Sequence, residues 1–169
     1  MLENIKTGIF LANKKYRRKY NVTFYSTSEV YGNQRSIYNT IKNITSYNIV
    51  YNKGLRYLYA YIKEKFEKDY KKIMSMYDSP VSCFKVVKPF NVIGENQKRG
   101  VLFEMVKSAI NSNLIIYNKD TSRTFTNIDY ASFEGVNIIL RDFSCSMNVA
   151  DERCSLTLES LAKIVKDVL

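Results

Sequence analysis

The chain has 169 residues, enough for one ordinary domain, and its 46% hydrophobic and 25% charged residues exclude a wholly disordered protein. Its apolar runs are far shorter than the roughly 20 residues that cross a bilayer, and the N-terminus has no signal-peptide pattern, so we expect a cytoplasmic protein without a membrane partner. The net charge of +10 fits either an anionic partner or a lysine-rich composition.

Hydrophobic periodicity predicts two amphipathic helices in the first half of the chain. Apolar residues at helical spacing predict a helix over residues 5–16, and a short strand follows at 22–26. Residues 32–54 show no sustained period, and we expect a long loop there. The helical stripe returns over residues 58–77, which should form the longest helix and end before Pro80.

The second half of the chain alternates strands with helices. The predicted elements are a strand at 81–87, a helix at 101–111, a strand at 114–117, a helix at 133–140, a strand at 145–149 and a helix at 157–169. Thr157 is the expected N-cap of the last helix, because its hydroxyl can accept a backbone N–H. Strands separated by helices predict an α/β fold with a mainly parallel sheet flanked by helices.

A polar segment, residues 26–32 with the sequence S-T-S-E-V-Y-G, follows a predicted strand directly. In open α/β sheets, ligands bind beyond the carboxyl ends of the strands. The hydroxyl groups and the carboxylate of Glu29 could hydrogen-bond a hydroxylated substrate there. A hydroxyl-rich turn that caps its own backbone would explain the same residues, so this segment alone does not identify a site.

Tyrosine and lysine occur four residues apart at three places, which are Tyr38/Lys42, Tyr59/Lys63 and Tyr61/Lys65. This spacing puts both side chains on one face of a helix. A nearby ammonium lowers the pKa of a phenol, so such a tyrosine can act as a general base toward a sugar or alcohol hydroxyl. A chain with 14 tyrosines produces this spacing by chance, and the spacing does not choose among the three pairs.

Six short motifs follow one another along the chain. They are N-I-x-T-G at 4–8, S-T-S-E-V-Y-G at 26–32, Y-A-x-x-K-x-x-x-E at 59–67, V-K-P-F-N-V-I-G-x-x-Q at 87–97, R-T-F-T-N-I-D at 123–129 and M-N-V-A at 147–150. In this order they resemble the extended short-chain dehydrogenase/reductases, the NAD-dependent epimerases, dehydratases and decarboxylases of nucleotide sugars. The resemblance covers nearly the whole chain. It implies the C-terminal part of a Rossmann-like sheet, with residues 1–90 on the nicotinamide side and 91–169 mostly in a small substrate-binding portion.

The resemblance implies catalytic roles for four residues. Thr27 would hydrogen-bond the sugar hydroxyl that becomes a ketone, and Tyr59 would take the proton as base. Lys63 would hold the nicotinamide ribose of NAD and lower the pKa of Tyr59, so that both residues contact the cofactor. Glu29 stands where decarboxylases and dehydratases of the family use a glutamate.

Ligand-binding roles are implied for four further residues. Pro89 would contact the cofactor. Asn91 would contact the diphosphate of a nucleotide sugar, and Arg123 would make charge-assisted bonds to that diphosphate or to a sugar carboxylate. Ser28 would lie in the substrate site. No metal is expected, because the chain has no histidine and its three cysteines form no C-x-x-C pair.

Several departures from the family pattern bear on activity. Ser28 stands where dehydratases carry an aspartate, Ile62 replaces a serine and Lys88 replaces an arginine. The family holds the cofactor pyrophosphate on G-x-G-x-x-G, but no two of the six glycines here form G-x-G. We therefore expect that the N-terminal cofactor-binding half is missing, that the chain alone binds NAD weakly or not at all, and that a separate chain carrying that half is a candidate partner. A strand edge left bare would also favour self-association.

Three functions remain open. The first is an NAD-dependent epimerase or decarboxylase-like enzyme that oxidises a nucleotide sugar once it is complemented, the dehydratase branch being disfavoured by Ser28. The second is a catalytically inactive truncated remnant or interaction domain, and we expect the isolated chain to be inactive. The third is a basic nucleic-acid-binding module, which we rank last because the basic residues are spread along the chain, with their densest cluster at 14–19.

Overall fold

A computed structural model describes residues 2–31, 55–76, 78–111 and 114–169. The secondary-structure elements in chain order are α1 (Leu2–Tyr16), β1 (Tyr20–Tyr25), a 3-10 helix (Ser28–Tyr31), α2 (Leu55–Met74), β2 (Val81–Pro89), β3 (Val92–Ile93), α3 (Val101–Ile110), β4 (Ser122–Thr124), β5 (Thr126–Asn127), α4 (Ile128–Ile139), β6 (Cys145–Val149), a second 3-10 helix (Glu152–Cys154), β7 (Ser155–Thr157) and α5 (Leu158–Val168). They divide between two units, one of Met1–Pro89 with Glu134–Asn148 and one of Phe90–Phe133 with Val149–Leu169.

The first unit is built on a three-stranded sheet in the order β1-β2-β6. Strand β1 runs parallel to β2. Tyr20 lies opposite Val81 at one end of the ladder, and Tyr25 lies opposite Val87 at the other. The central strand β2 is buried at nearly every position, as a strand covered on both faces requires. Helix α2 packs two aromatic rings of its apolar stripe against this sheet. They complete a stack of four rings with centroids 3.9, 4.5 and 5.0 Å apart, formed by Phe24, Phe66, Tyr70 and Phe84.

The second unit has its own core under helices α3 and α5. Its buried apolar residues are Met105, Phe125, Leu158, Leu161, Ala162 and Val165. Two short strand pairs complete it, β3 with β5 in parallel and β4 with β7 antiparallel. The Thr157 hydroxyl accepts the backbone N–H of Ser160 at 3.1 Å, so the predicted N-cap of α5 is confirmed.

Most predicted elements are confirmed, including the long helix α2, the buried strand β2 and strand β6. The loop expected at 32–54 lies outside the described residues. The strand expected at 114–117 is wrong. Leu114 and Ile116 pack against the core of the second unit while Ile115 and Tyr117 are exposed, so the alternation reflects one-sided burial of a segment that pairs with no strand among the described residues.

Helix α4 begins five residues before the predicted start at Phe133. The side-chain oxygen of Asn127 accepts the backbone N–H of Asp129 at 2.7 Å, which satisfies a donor in the first turn. An asparagine cap inside the R-T-F-T-N-I-D motif therefore sets this boundary. The part of the chain that the structure describes contains no helix long and apolar enough to cross a membrane.

Candidate functional site

The segment that follows β1 is largely buried, and one of its side-chain hydroxyls caps its own backbone. Ser26 and Thr27 expose only 4% and 8% of their surfaces. The Thr27 hydroxyl accepts the backbone N–H of Glu29 at 3.3 Å, and the 3-10 helix begins at Ser28. Ser28 and Glu29 are half-buried. The hydroxyls thus cap a turn, and the same turn fixes Thr27 beyond the carboxyl end of β1.

Tyr59 and Lys63 lie one turn apart on α2, beside the same strand end. Nζ of Lys63 donates to the carbonyl oxygen of Tyr25, the last residue of β1, at 2.7 Å. It lies 4.8 Å from the centroid of the Phe24 ring and 5.7 Å from that of the Tyr59 ring. The Tyr59 side chain is 48% exposed. The fold therefore brings an accessible phenol and an ammonium to the edge of the sheet where ligands bind in α/β proteins.

Two opposing effects act on the charge of Lys63. Burial lowers the pKa of its ammonium below the ordinary value of 10.5, because partial removal from water disfavours the charged form. The negative charge of Glu67, one turn further along α2, raises that pKa again. The described part of the chain takes one of the three Lys63 N–H groups, in the bond to Tyr25, which leaves donors for the hydroxyls of a ligand.

Of the other two Tyr–Lys pairs, the structure describes Tyr61/Lys65. Tyr61 is 44% exposed, and Lys65, its partner in the motif, is exposed. Tyr38 and Lys42 lie outside the described residues. The bond from Lys63 to the end of β1 therefore distinguishes the Tyr59/Lys63 pair from Tyr61/Lys65.

A buried polar cluster lies behind this pair. The Ser26 hydroxyl donates to Oε1 of Glu67, and Nζ of Lys88 lies 3.2 Å from Oε2 of the same carboxylate. Lys88 also donates to the hydroxyl of Ser146 at 2.6 Å. Only 1% of the Glu67 side chain and 2% of the Lys88 side chain are exposed. Burial lowers the pKa of Lys88, and the charge of Glu67 counteracts this effect.

Sequence reasoning missed this cluster. Glu67 entered only as the last letter of a motif, and Lys88 only as a replacement for arginine. The available signal was two lysines, Lys85 and Lys88, inside a strand predicted to be buried, where a lone ammonium is costly without a partner. Lys85 donates to the carbonyl of Ile139 at 2.6 Å, and Lys88 pairs with Glu67. Tyr31, from the same polar segment, donates to the side-chain oxygen of Asn148 at 2.7 Å, which links the 3-10 helix to β6.

Asn91 and Arg123 lie in the second unit. The Asn91 side chain donates to the backbone carbonyl of Thr124 at 2.8 Å. The backbone carbonyl of Asn91 accepts the backbone N–H of Thr126. Asn91 has a φ of 23°, a conformation that asparagine tolerates better than most residues. Arg123 is half-buried on β4, opposite Leu156 of β7. These contacts and this conformation are those of a residue that shapes a bend in the backbone.

The remaining predictions concern Pro89 and metals. Pro89 is the half-buried last residue of β2. The structure groups it in the first unit with Thr27, Ser28, Glu29, Tyr59 and Lys63. Among the described residues, no group of three or more His, Cys, Asp or Glu side chains could hold a metal ion.

Comparison with protein families finds one family whose sequence profile matches most of the chain. The profile of the NAD dependent epimerase/dehydratase family matches residues 4–132. No protein of curated function matches the sequence significantly.

Solved structures share the fold of the chain. UDP-N-acetylglucosamine 4-epimerase from Methanobrevibacter ruminantium, in complex with UDP-N-acetylmuramic acid, matches 94% of the chain with a TM-score of 0.70 and 23% identity, and 49% of its own length is covered. TunA, an NAD dependent NDP-hexosamine 5,6-dehydratase, matches 99% of the chain with a TM-score of 0.72 and 20% identity, over 53% of its length. The UDP-glucose 4-epimerase of Thermotoga maritima, with UDP-glucose, matches 92% with a TM-score of 0.70 and 16% identity, over 49% of its length.

These likenesses show the fold. The chain has the Rossmann-like architecture of these proteins, as the sequence predicted, and spans about half of their length.

Proposed function

Because the chain belongs to the NAD dependent epimerase/dehydratase family, we propose that it supplies the catalytic residues for oxidising a sugar hydroxyl of a nucleotide sugar to a ketone. The observation that carries this proposal is the bond from Lys63 to the end of β1, which sets the Tyr59/Lys63 pair beside the polar segment at residues 26–31. The complexes of two similar proteins with UDP-N-acetylmuramic acid and with UDP-glucose support a nucleotide sugar as substrate.

Each proposed role follows from the chemistry of the residue. Tyr59, in its deprotonated form, would take the proton of the sugar hydroxyl as base and become a neutral phenol. The Thr27 hydroxyl hydrogen-bonds the same sugar oxygen and orients it. Lys63 would hold the nicotinamide ribose with its remaining N–H groups. The chemistry that NAD would supply, when bound, is that of a hydride acceptor for the sugar carbon.

The rest of the proposed site divides along the chain. Residues 1–90 would serve the nicotinamide side, where Pro89 lines the cofactor, and residues 91–169 would mostly bind substrate. Arg123 and Asn91 would contact the diphosphate, while Ser28 and Glu29 would face the sugar. The G-x-G-x-x-G segment that holds the cofactor pyrophosphate is not among these 169 residues, so we propose that the chain acts together with such a segment.

A fusion tests this proposal. The dinucleotide-binding half of a solved 4-epimerase is placed ahead of the chain, and NADH formation is followed by absorbance during incubation with NAD and a panel of nucleotide sugars. Tyr59→Phe should lower the rate by on the order of a hundred- to ten-thousand-fold, the usual cost of losing a general base. The matched control Tyr61→Phe changes a tyrosine on the same helix and should keep the rate.

Two outcomes would contradict the proposal. Equal losses in Tyr59→Phe and Tyr61→Phe would show that the wrong tyrosine has been assigned. A fusion that binds both NAD and nucleotide sugar, by calorimetry, but forms neither NADH nor an isomerised sugar would favour a non-catalytic interaction domain instead.

A further inference from the structure

The carboxylate of Glu67 joins parts of the first unit that are far apart in the sequence. One oxygen accepts the hydroxyl of Ser26, which follows β1, and the other lies 3.2 Å from the ammonium of Lys88 on β2. Lys88 extends the chain of contacts to Ser146 on β6. One carboxylate on α2 is thereby connected to all three strands of the sheet.

Stability alone is a weak reason for such a cluster. Taking two charges out of water costs several kcal/mol per ion, and well-packed apolar residues in place of a buried ion pair are often as stable or more so. Glu67 and Lys88 are both nearly fully buried, so their desolvation is close to complete. A role in fixing particular neighbours is the better-supported reason to keep the pair.

The residues around Glu67 adjoin the proposed catalytic groups. Ser26 directly precedes Thr27, and Lys63 lies four residues before Glu67 on the same face of α2. The end of β1 is therefore attached to α2 twice, at Tyr25 through Lys63 and at Ser26 through Glu67. Thr27 follows these two attachment points without an intervening residue.

We propose that Glu67 is a positioning residue, which holds the segment carrying Thr27 against α2, beside Tyr59 and Lys63. The inference rests on the proposed function for the meaning of these positions. It stands on the two bonds that attach the end of β1 to α2. The negative charge of Glu67 also counteracts the effect of burial on the pKa of Lys63.

The test is NMR spectroscopy of the full chain, with no cofactor or substrate added. The Nζ resonance of Lys63, assigned by its loss in Lys63→Arg, is titrated with pH, and the backbone amides of Thr27 and Glu29 are recorded. Glu67→Gln should lower the pKa of Lys63 and shift both amides. The matched control Glu64→Gln removes another carboxylate of α2, one paired with the exposed Lys68 at 2.6 Å, and should change neither.

Two further variants keep the test decisive if Glu67→Gln does not fold. The double variant Glu67→Gln/Lys88→Met removes both buried charges together, avoids an unpaired ammonium, and should show the same two changes. Ser26→Ala cuts the hydrogen bond and keeps the carboxylate, so it should move the amide resonances while leaving the Lys63 titration in place.

The results separate positioning from mere support of the fold. If variants that lack Glu67 fold with unchanged Thr27 and Glu29 amides and an unchanged Lys63 titration, the proposal is overturned. Because the measurement involves no reaction, the expected changes would uphold the positioning even if the fusion forms no NADH. If the fusion is active but the variants without Glu67 show neither the amide shifts nor the change in the Lys63 titration, the proposed function is upheld. In that case Glu67 has no positioning role in it.

Discussion

Replacing Tyr31 with phenylalanine should change the alkaline stability of the chain. Tyr31 is 5% exposed, and burial raises the pKa of its phenol from 10.0 to about 12, with the negative charge of Glu67 adding to the rise. The stabilisation linked to this shift is fully present below pH 10 and is lost as the pH rises toward 12. Two pKa units correspond to about 2.7 kcal/mol.

Urea unfolding of wild type and Tyr31→Phe, measured by circular dichroism from neutral pH to pH 12, checks this expectation. The wild type should lose up to about 2.7 kcal/mol more than the variant across the window from pH 10 to 12. Burial raises the pKa of Tyr70 as well, so some alkaline loss should persist in Tyr31→Phe. Tyr117→Phe removes the hydroxyl of a side chain that is 78% exposed and should follow the wild type. Parallel alkaline losses in wild type and Tyr31→Phe would refute the reasoning.

Three further predictions concern folding stability, each measured as the free energy of unfolding in urea. The Tyr70 hydroxyl is buried with no hydrogen-bond partner among the described residues, so Tyr70→Phe should be neutral or stabilising, and a loss above about 1 kcal/mol would contradict this. A Cβ at Gly94 would lie 2.5 Å from a methyl carbon of Ile128, so Gly94→Ala should lower the free energy of unfolding. Gly8 lies in the interior of α1 with open space around its Cα, so Gly8→Ala should raise the free energy of unfolding by about 0.5–1 kcal/mol. Thr157→Ala removes the N-cap of α5 and should cost about 1 kcal/mol; no change would show that the cap is dispensable.

Sequence alone was sufficient where structure depends on residues close together in the chain. The apolar stripe of α2 and the cap at Thr157 act within one or two helical turns, and their spacing can be read directly. A local pattern gave a wrong prediction at residues 114–117. Buried and exposed side chains alternate there because one side of the segment packs on the core, although no described strand pairs with it. The cap at Asn127 was missed because it lies inside a motif that was interpreted only for function.

For the site, the sequence supplied the motifs and their order, and these led to the family. It could not choose among the Tyr–Lys pairs, because helical spacing says which side chains share a face and not what that face meets. Only the packing of α2 against β1 brought Lys63 to the carbonyl of Tyr25, 38 residues away in the chain.

The buried polar cluster was decided by tertiary structure for the same reason. The bond from Ser26 to Glu67 spans 41 residues, that from Lys88 to Ser146 spans 58, and that from Tyr31 to Asn148 spans 117. A charge in a strand signals that a partner must exist, because a lone buried ion is too costly, but it does not say which residue that partner is. Desolvation and ion pairing depend on distance in space and not on distance along the chain. The pairing of Glu67 with Lys88 is therefore visible only in the tertiary structure.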